Sequence, residues 1–165
     1  MTIAAPRTLF APSESQPVVE AFAEAGVPFI VIGGVAVSYH YPDRVPDDLD
    51  LVVARTEDAG KRLLAALAAI GTPGQFTPED YVRNTPRPLG FPLKPPRTAQ
   101  FMTDLFRAET WFNFEERQAE AHDALLFDRP VKVASKAALI LWNEPAQDLK
   151  PKHLRDLDLL RGHSA

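Results

Sequence analysis

Hydrophobic positions in the first half of the chain switch repeatedly between helical and strand spacing. Val18, Phe22 and Ala25 recur on one helical face behind Ser15, a residue type suited to a helix start, and Gly26 ends the run. Val27 to Ile32 is a short apolar run rich in branched side chains, which predicts a buried strand. Gly33-Gly34 then turns the chain into a brief helix, Val35 to His40, and a polar turn with Pro42 and Pro46 leads to a second strand, Leu49 to Ala54. Thr56 is the expected cap of the next helix, with Glu57 and Asp58 in the first turn, where the helix dipole favours acids. Leu63, Leu64, Leu67 and Ile70 form its apolar stripe, and Gly71 stops it.

A change of texture follows. Many of the sixteen prolines fall between Pro73 and Pro96, and each removes a backbone donor, so the segment of about 72–97 reads as a loop rather than a central strand or unbroken helix. Beyond it, Ala99 to Arg107 reads as a strand, and Phe112 to Arg117 carries no assignable period. Ala124 to Phe127 and Val131 to Val133 predict a hairpin around Asp128-Arg129-Pro130. A C-terminal helical part, 135–162, comprises Ser135 to Asn143 and Pro151 to Gly162, with Leu154, Leu157 and Leu160 on one face of the last helix. Alternating helices and strands imply an α/β or α+β protein, a mixed β-sheet flanked by helices. At 165 residues the chain is expected to form a single domain, 1–165.

Composition narrows the function classes. Eighteen Lys and Arg against twenty-two Asp and Glu leave a net charge of −4, which argues against broad DNA binding, where affinity comes from neutralised phosphates. The absence of cysteine excludes disulfide scaffolds, zinc knuckles, iron–sulfur sites and thiol nucleophiles. No apolar run approaches the ~20 residues that span a bilayer, and MTIAAPRTLFAPSES lacks a long apolar signal core. The expectation is a cytoplasmic protein with no membrane partner.

Chemistry concentrates in IGGVAVSYHYPDRVPDDLDLVV, from Ile32 to Val53. Thirteen residues lie between Gly34 and Asp48, and Asp50 follows on a predicted strand. Residues i and i+2 project from one strand face, so Asp48 and Asp50 are expected to point together, with about 7 Å between their α-carbons. Two such carboxylates repel unless a cation lies between them, and oxygen-only ligands suit Mg2+ or Mn2+. Gly33-Gly34 offers backbone amides at a helix start, which favours phosphate. An Asp-x-Asp strand alone commonly marks a solvated face, and a Gly-Gly pair is commonly a turn. Their conjunction in this order points to metal-phosphate chemistry.

That pattern resembles the DNA polymerase β-like nucleotidyltransferase superfamily, whose signature is a hydrophobic residue, Gly-Gly or Gly-Ser, then Asp-hydrophobic-Asp/Glu. Gly33, Gly34, Asp48 and Asp50 match it. The chain is more closely similar to small bacterial nucleotidyltransferases of the abortive-infection and toxin–antitoxin kind, which read Gly-Gly-x-Ala-x-x-x-His and then Arg-x-Thr-x-Asp-hydrophobic-Asp. Gly33, Gly34, Ala36, His40, Arg44, Asp48 and Asp50 fit, with Pro46 where threonine is usual. Their C-terminal Pro-Lys-Asp-x-x-Asp-Leu signature is echoed by PKHLRDLDLL, with Lys152 and Asp156 in place and His153 at the first Asp. The lysine preceding it falls at Asn143 here.

The resemblance implies a third carboxylate on a later strand, for which Asp104 is the candidate. It further implies metal at Asp48, Asp50 and Asp104, and nucleotide at Gly33, Gly34, Lys152 and Asp156, with Ser38 a further triphosphate candidate. The expected reaction is two-metal transfer of a nucleoside monophosphate from an NTP to an acceptor hydroxyl of protein or RNA, within a toxin–antitoxin or defence system. Pro46, Asn143 and His153 keep open a catalytically inactive module of the same fold that binds a cognate toxin or antitoxin. A carboxylate-metal nuclease would use the same ions without NTP.

The remaining candidates have plainer readings. Lys152 and Asp156 stand at i, i+4, the spacing of an ordinary surface ion pair, and Asp158 lies between Arg155 and Arg161. His122-Asp123 lacks the further histidines of a metal phosphohydrolase, and His40 is expected to pack at a helix end. Arg83, Arg87, Lys94 and Arg97 form one basic run, either a solvated loop or a flap over triphosphate or an RNA end.

Overall fold

The computed structural model describes residues 6–83, 101–143 and 151–162, with the backbone alone for 151–153. Among the described residues six strands form one mixed sheet: β1 (Arg7–Thr8), β2 (Phe29–Ile32), β3 (Leu49–Val53), β4 (Thr103–Arg107), β5 (His122–Leu126) and β6 (Arg129–Val133). Their spatial order is β1-β5-β6-β2-β3-β4. β2 runs antiparallel to β3 and parallel to β6, while β3 and β4 are parallel. The helices are α1 (Gln16–Ala25), α2 (Gly33–His40), α3 (Glu57–Ala69), α4 (Pro78–Val82), α5 (Phe114–Glu120), α6 (Lys136–Asn143) and α7 (Pro151–Leu160). α3 packs on both α1 and α4, and α2 packs on β2 and β3 with α6 and α7 against it. This is the mixed, helix-flanked sheet that the alternating pattern implies.

Local chemistry explains most boundaries. Thr56 Oγ1 accepts a 3.0 Å bond from Ala59 N and caps α3, whose Leu63 and Leu67 are fully buried while Leu64 and Ile70 are half-buried. Ser135 Oγ likewise accepts from Ala138 N at the start of α6. Phe127 and Asp128 both adopt positive φ, 49° and 61°, the conformation a tight hairpin between β5 and β6 demands.

Several expectations are corrected. Ser15 does not cap α1. Its buried hydroxyl donates to the carbonyls of Phe101 and Met102 and accepts from Thr103 Oγ1, so a tertiary contact displaces the local one. α2 starts at the glycines rather than at Val35. The proline-rich segment contains α4, because Pro78 sits in a first helical turn, where a missing donor costs nothing. Phe112 to Arg117 resolves into a short 3-10 turn followed by α5.

β4 is pinned at both ends. Besides the Ser15 contacts, Met102 turns through φ 47° and offers its carbonyl to Leu49 N at 2.9 Å. At the far end, buried Arg107 donates to the carbonyls of Tyr81 and Arg83, and Arg55 Nε donates to that of Val82, tying α4 to the sheet. Among the described residues no helix is long and apolar enough to cross a membrane.

Candidate active site

β2 is apolar because it lies inside the sheet, and its last residue opens the site. Ile32 is the register partner of Asp50, and Asp50 is the register partner of Asp104. Register partners project from the same face, and neighbouring strands stand about 4.8 Å apart, so the two carboxylates rise side by side. Both residues are half-buried.

The turn after Ile32 has no room for side chains. Gly33 adopts φ +67°, and a Cβ there would lie 2.8 Å from Asp50 Cγ, with Oδ2 closer still. The carboxylate of Asp50 therefore rests directly on Gly33 at the first turn of α2. A Cβ on Gly34 would meet Arg44 Nη2 at 3.2 Å and Pro46 Cβ at 3.4 Å. The paired glycines let a carboxylate and a guanidinium approach the same turn, and Pro46, in the position expected for threonine, packs over it without a hydroxyl.

Asp48 differs from the expectation. β3 begins at Leu49, and Asp48 stands just before it in a bend, half-buried, so the i, i+2 rule of a strand does not fix its direction. Among the described residues, no three His, Asp or Glu side chains gather closely enough to hold a metal ion. The Asp50–Asp104 pair nonetheless fits Mg2+ chemistry. That ion keeps several waters and takes one or two carboxylates together with substrate phosphate oxygens.

The nucleotide candidates on the helices are sorted by their partners. Ser38 Oγ donates to Val35 O at 2.6 Å, within α2, so its hydroxyl is committed to the helix backbone. Asp156 is 3% exposed and accepts from Arg44 Nε at 2.7 Å and from Nη2 at 3.2 Å. That hydrogen bonding raises the Arg44 pKa above its ordinary value, against the opposing effect of burial. Lys152 lies in the first turn of α7. This ion pair, joining the loop before β3 to α7, is the feature sequence reasoning missed. The only signal was that Arg44 and Asp156 sit in the two separate motifs. A cavity of about 620 Å3 opens between that loop and α7, and another of about 400 Å3 lies beside Ser38, Phe10 and Pro46.

Other candidates take structural roles. His40 shares a 2.9 Å hydrogen bond with Ala134 O, and burial lowers its pKa, with His122, Lys136 and Arg7 adding to the effect. His122 stacks on Tyr39, and Asp123 accepts from Lys132 Nζ across the β5–β6 pair at 2.5 Å, which is a cross-strand ion pair and not a ligand set. Arg83 is exposed and 3.7 Å from Asp80, while Arg87, Lys94 and Arg97 lie outside the described residues.

Neither a family model nor a curated protein matches the chain. Solved structures do. The solution structure of the antibiotic-resistance factor ANT(2'')-Ia aligns over 91% of this chain and 82% of its own, with TM-score 0.55 and 19% identity. The crystal structure of ANT(2'')-Ia in complex with adenylyl-2''-tobramycin aligns over 89% and 85%, with TM-score 0.54 and 18% identity. A nucleotidyltransferase-like protein from Paracoccidioides brasiliensis aligns at TM-score 0.46 and 15% identity, over 92% and 77%. The fold of this chain is thus nucleotidyltransferase-like.

Proposed function

We propose that this protein is a metal-dependent nucleotidyltransferase that moves a nucleoside monophosphate from an NTP to an acceptor hydroxyl. The observation that carries the reading is Asp50 beside Asp104 in strand register, with Asp50 seated on the Gly33 turn. The likeness in fold to ANT(2'')-Ia, whose crystal structure holds adenylyl-2''-tobramycin, supports the same class of chemistry.

The Gly33-Gly34 turn receives the triphosphate on its backbone N–H groups. Lys152 and Asp156, on α7, belong to the nucleotide side, and Ser38 contributes cavity wall. A bound Mg2+ or Mn2+ would be held by Asp50 and Asp104, with Asp48 the further candidate ligand, and would neutralise the phosphate oxygens and sharpen the nucleophile. Asp104 accepts a hydrogen bond from the acceptor hydroxyl and helps remove its proton. The hydroxyl oxygen bonds to the α-phosphorus, the bond to the β-phosphate oxygen breaks, and pyrophosphate leaves. We assign the acceptor to protein or RNA and the setting to a toxin–antitoxin or defence system, by the resemblance of the two motifs.

The want of a three-carboxylate cluster among the described residues favours a second reading, an inactive module of the same fold that binds a partner. Incubation with Mg2+ and each labelled NTP, separating pyrophosphate from products, decides between them. Transfer that falls by orders of magnitude in a folded Asp50→Asn variant supports the enzyme. An absence of pyrophosphate with every NTP and with candidate protein and RNA acceptors supports the module.

A further inference from the structure

The loop from Tyr41 to Asp48 carries one cation, Arg44, and the fold holds it in a specific pose. Nε and Nη2 donate to the two oxygens of Asp156, and Nη1 donates to the carbonyl of Val45. Nη2 is also the atom pressed against Gly34, 3.2 Å from where its Cβ would stand. A guanidinium carries five N–H groups, and these bonds engage three of them. One on each terminal nitrogen is left over, that of Nη2 beside Gly34, and Arg44 lines both neighbouring cavities.

Asp156 is almost wholly buried, whereas the Arg44 side chain keeps 18% of its surface. A buried ion pair adds little net stability, because desolvation of both charges offsets their attraction, and an apolar pair of similar volume serves a core as well. Its strength is orientation. A planar fork held at two points presents its other donors in a fixed direction, the geometry that recognises phosphate oxygens. Asp48, Asp50 and Asp104 in the same site repel a polyphosphate, so its oxygens need cationic donors as well as the metal.

We infer that Arg44 is a phosphate-binding residue of the transfer site, and that Asp156 is the positioning residue that holds its guanidinium over the Gly33-Gly34 turn. This rests on the nucleotide reading of the site. It also joins the two sequence motifs in a single function, in which the C-terminal acid aims the N-terminal cation.

Inorganic tripolyphosphate with Mg2+ is the probe, titrated by calorimetry into the full chain, with melting temperature recorded for every variant. Arg44→Lys keeps the charge and loses the fork, and should weaken binding about tenfold to a hundredfold. Asp156→Asn removes a negative charge, so simple electrostatics predicts tighter binding of an anion. Positioning predicts the opposite, a loss of about tenfold. The double variant Arg44→Met/Asp156→Leu replaces the pair with apolar volume and should retain its melting temperature while losing most of the binding.

Tighter binding by Asp156→Asn would show the carboxylate competing with phosphate and overturn the positioning role. Wild-type affinity in Arg44→Lys and in the double variant would reduce the pair to a strut. Wild type that ignores both tripolyphosphate and NTP overturns this inference and the nucleotide reading together. Arg44-dependent binding without pyrophosphate release from any NTP leaves the inference standing and removes the transferase.

Discussion

Alanine at Gly33 probes the geometry of the site without touching its chemistry. The residue stands at φ +67°, a conformation that costs an L-residue roughly 1–2 kcal/mol. The added Cβ would also lie 2.8 Å from Asp50 Cγ, so either the carboxylate swings away or the strand moves. Asp50 is held between Ile32 and Asp104 in the ladder, and the side chain is the softer element. Gly33→Ala should therefore cost about 1–3 kcal/mol in all, lowering the melting temperature by roughly 2–12 °C for a chain of this size. On the proposed function Mg2+ and NTP should raise the melting temperature of the wild type, and the displaced carboxylate should abolish most of that rise. Gly34→Ala is the comparison: its φ is not positive, and its Cβ would meet Arg44 Nη2 at 3.2 Å, which must give by a few tenths of an ångström, so a smaller cost of about 1 kcal/mol is expected. A double-mutant cycle with Asp50→Ala isolates the contact, because removing the carboxylate leaves only the backbone cost of Gly33→Ala. Denaturant unfolding of the four proteins measures it. An equal cost of Gly33→Ala in both backgrounds, or an undiminished response to Mg2+ and NTP, refutes the packing of Asp50 on the turn.

Three further outcomes are expected. Thr56→Ala removes the cap of α3 and should cost ~1 kcal/mol in urea unfolding, while Thr56→Ser should restore most of it. Burial lowers the folded-state pKa of His40 below its unfolded value, so the unfolded chain binds the proton first. His40 then contributes stability above about pH 6.5 that is lost as pH falls, and His40→Gln should show a shallower loss between about pH 7 and 5. Tyr81 is fully buried, and its hydroxyl donates to Ala54 O at 2.9 Å. Tyr81→Phe should thus lose about 1–2 kcal/mol, and a melting temperature equal to the wild type would refute the bond.

Local pattern and tertiary arrangement contributed differently here. β2, β3, α1, α3 and the closing helices were legible because each carries its own periodicity and stop residues, to within a few positions at the ends. α4 was hidden by the prolines around it, although its own Pro78 sits where a helix tolerates one. β1 was invisible, since two residues have no period and Arg7–Thr8 is a strand only by pairing with β5. Ser15 looked like a cap and became a tertiary donor, because Phe101 and Met102 offer buried carbonyls that need a partner.

By itself the sequence determined the alternation of the longer helices and strands, the Gly33-Gly34 turn, the spacing to Asp48 and Asp50, and a net charge unsuited to gripping DNA. Those are short-range facts, written in steric freedom, hydrophobic period and composition. The tertiary structure decided which carboxylates stand together: Asp50 meets Asp104 through strand register, while Asp48 falls outside the strand. It also decided that Asp156 answers to Arg44, 112 residues away. No local pattern encodes either pairing. Ladder register depends on which strands become neighbours, and a buried carboxylate takes the cation that shares its dry environment once the chain has closed.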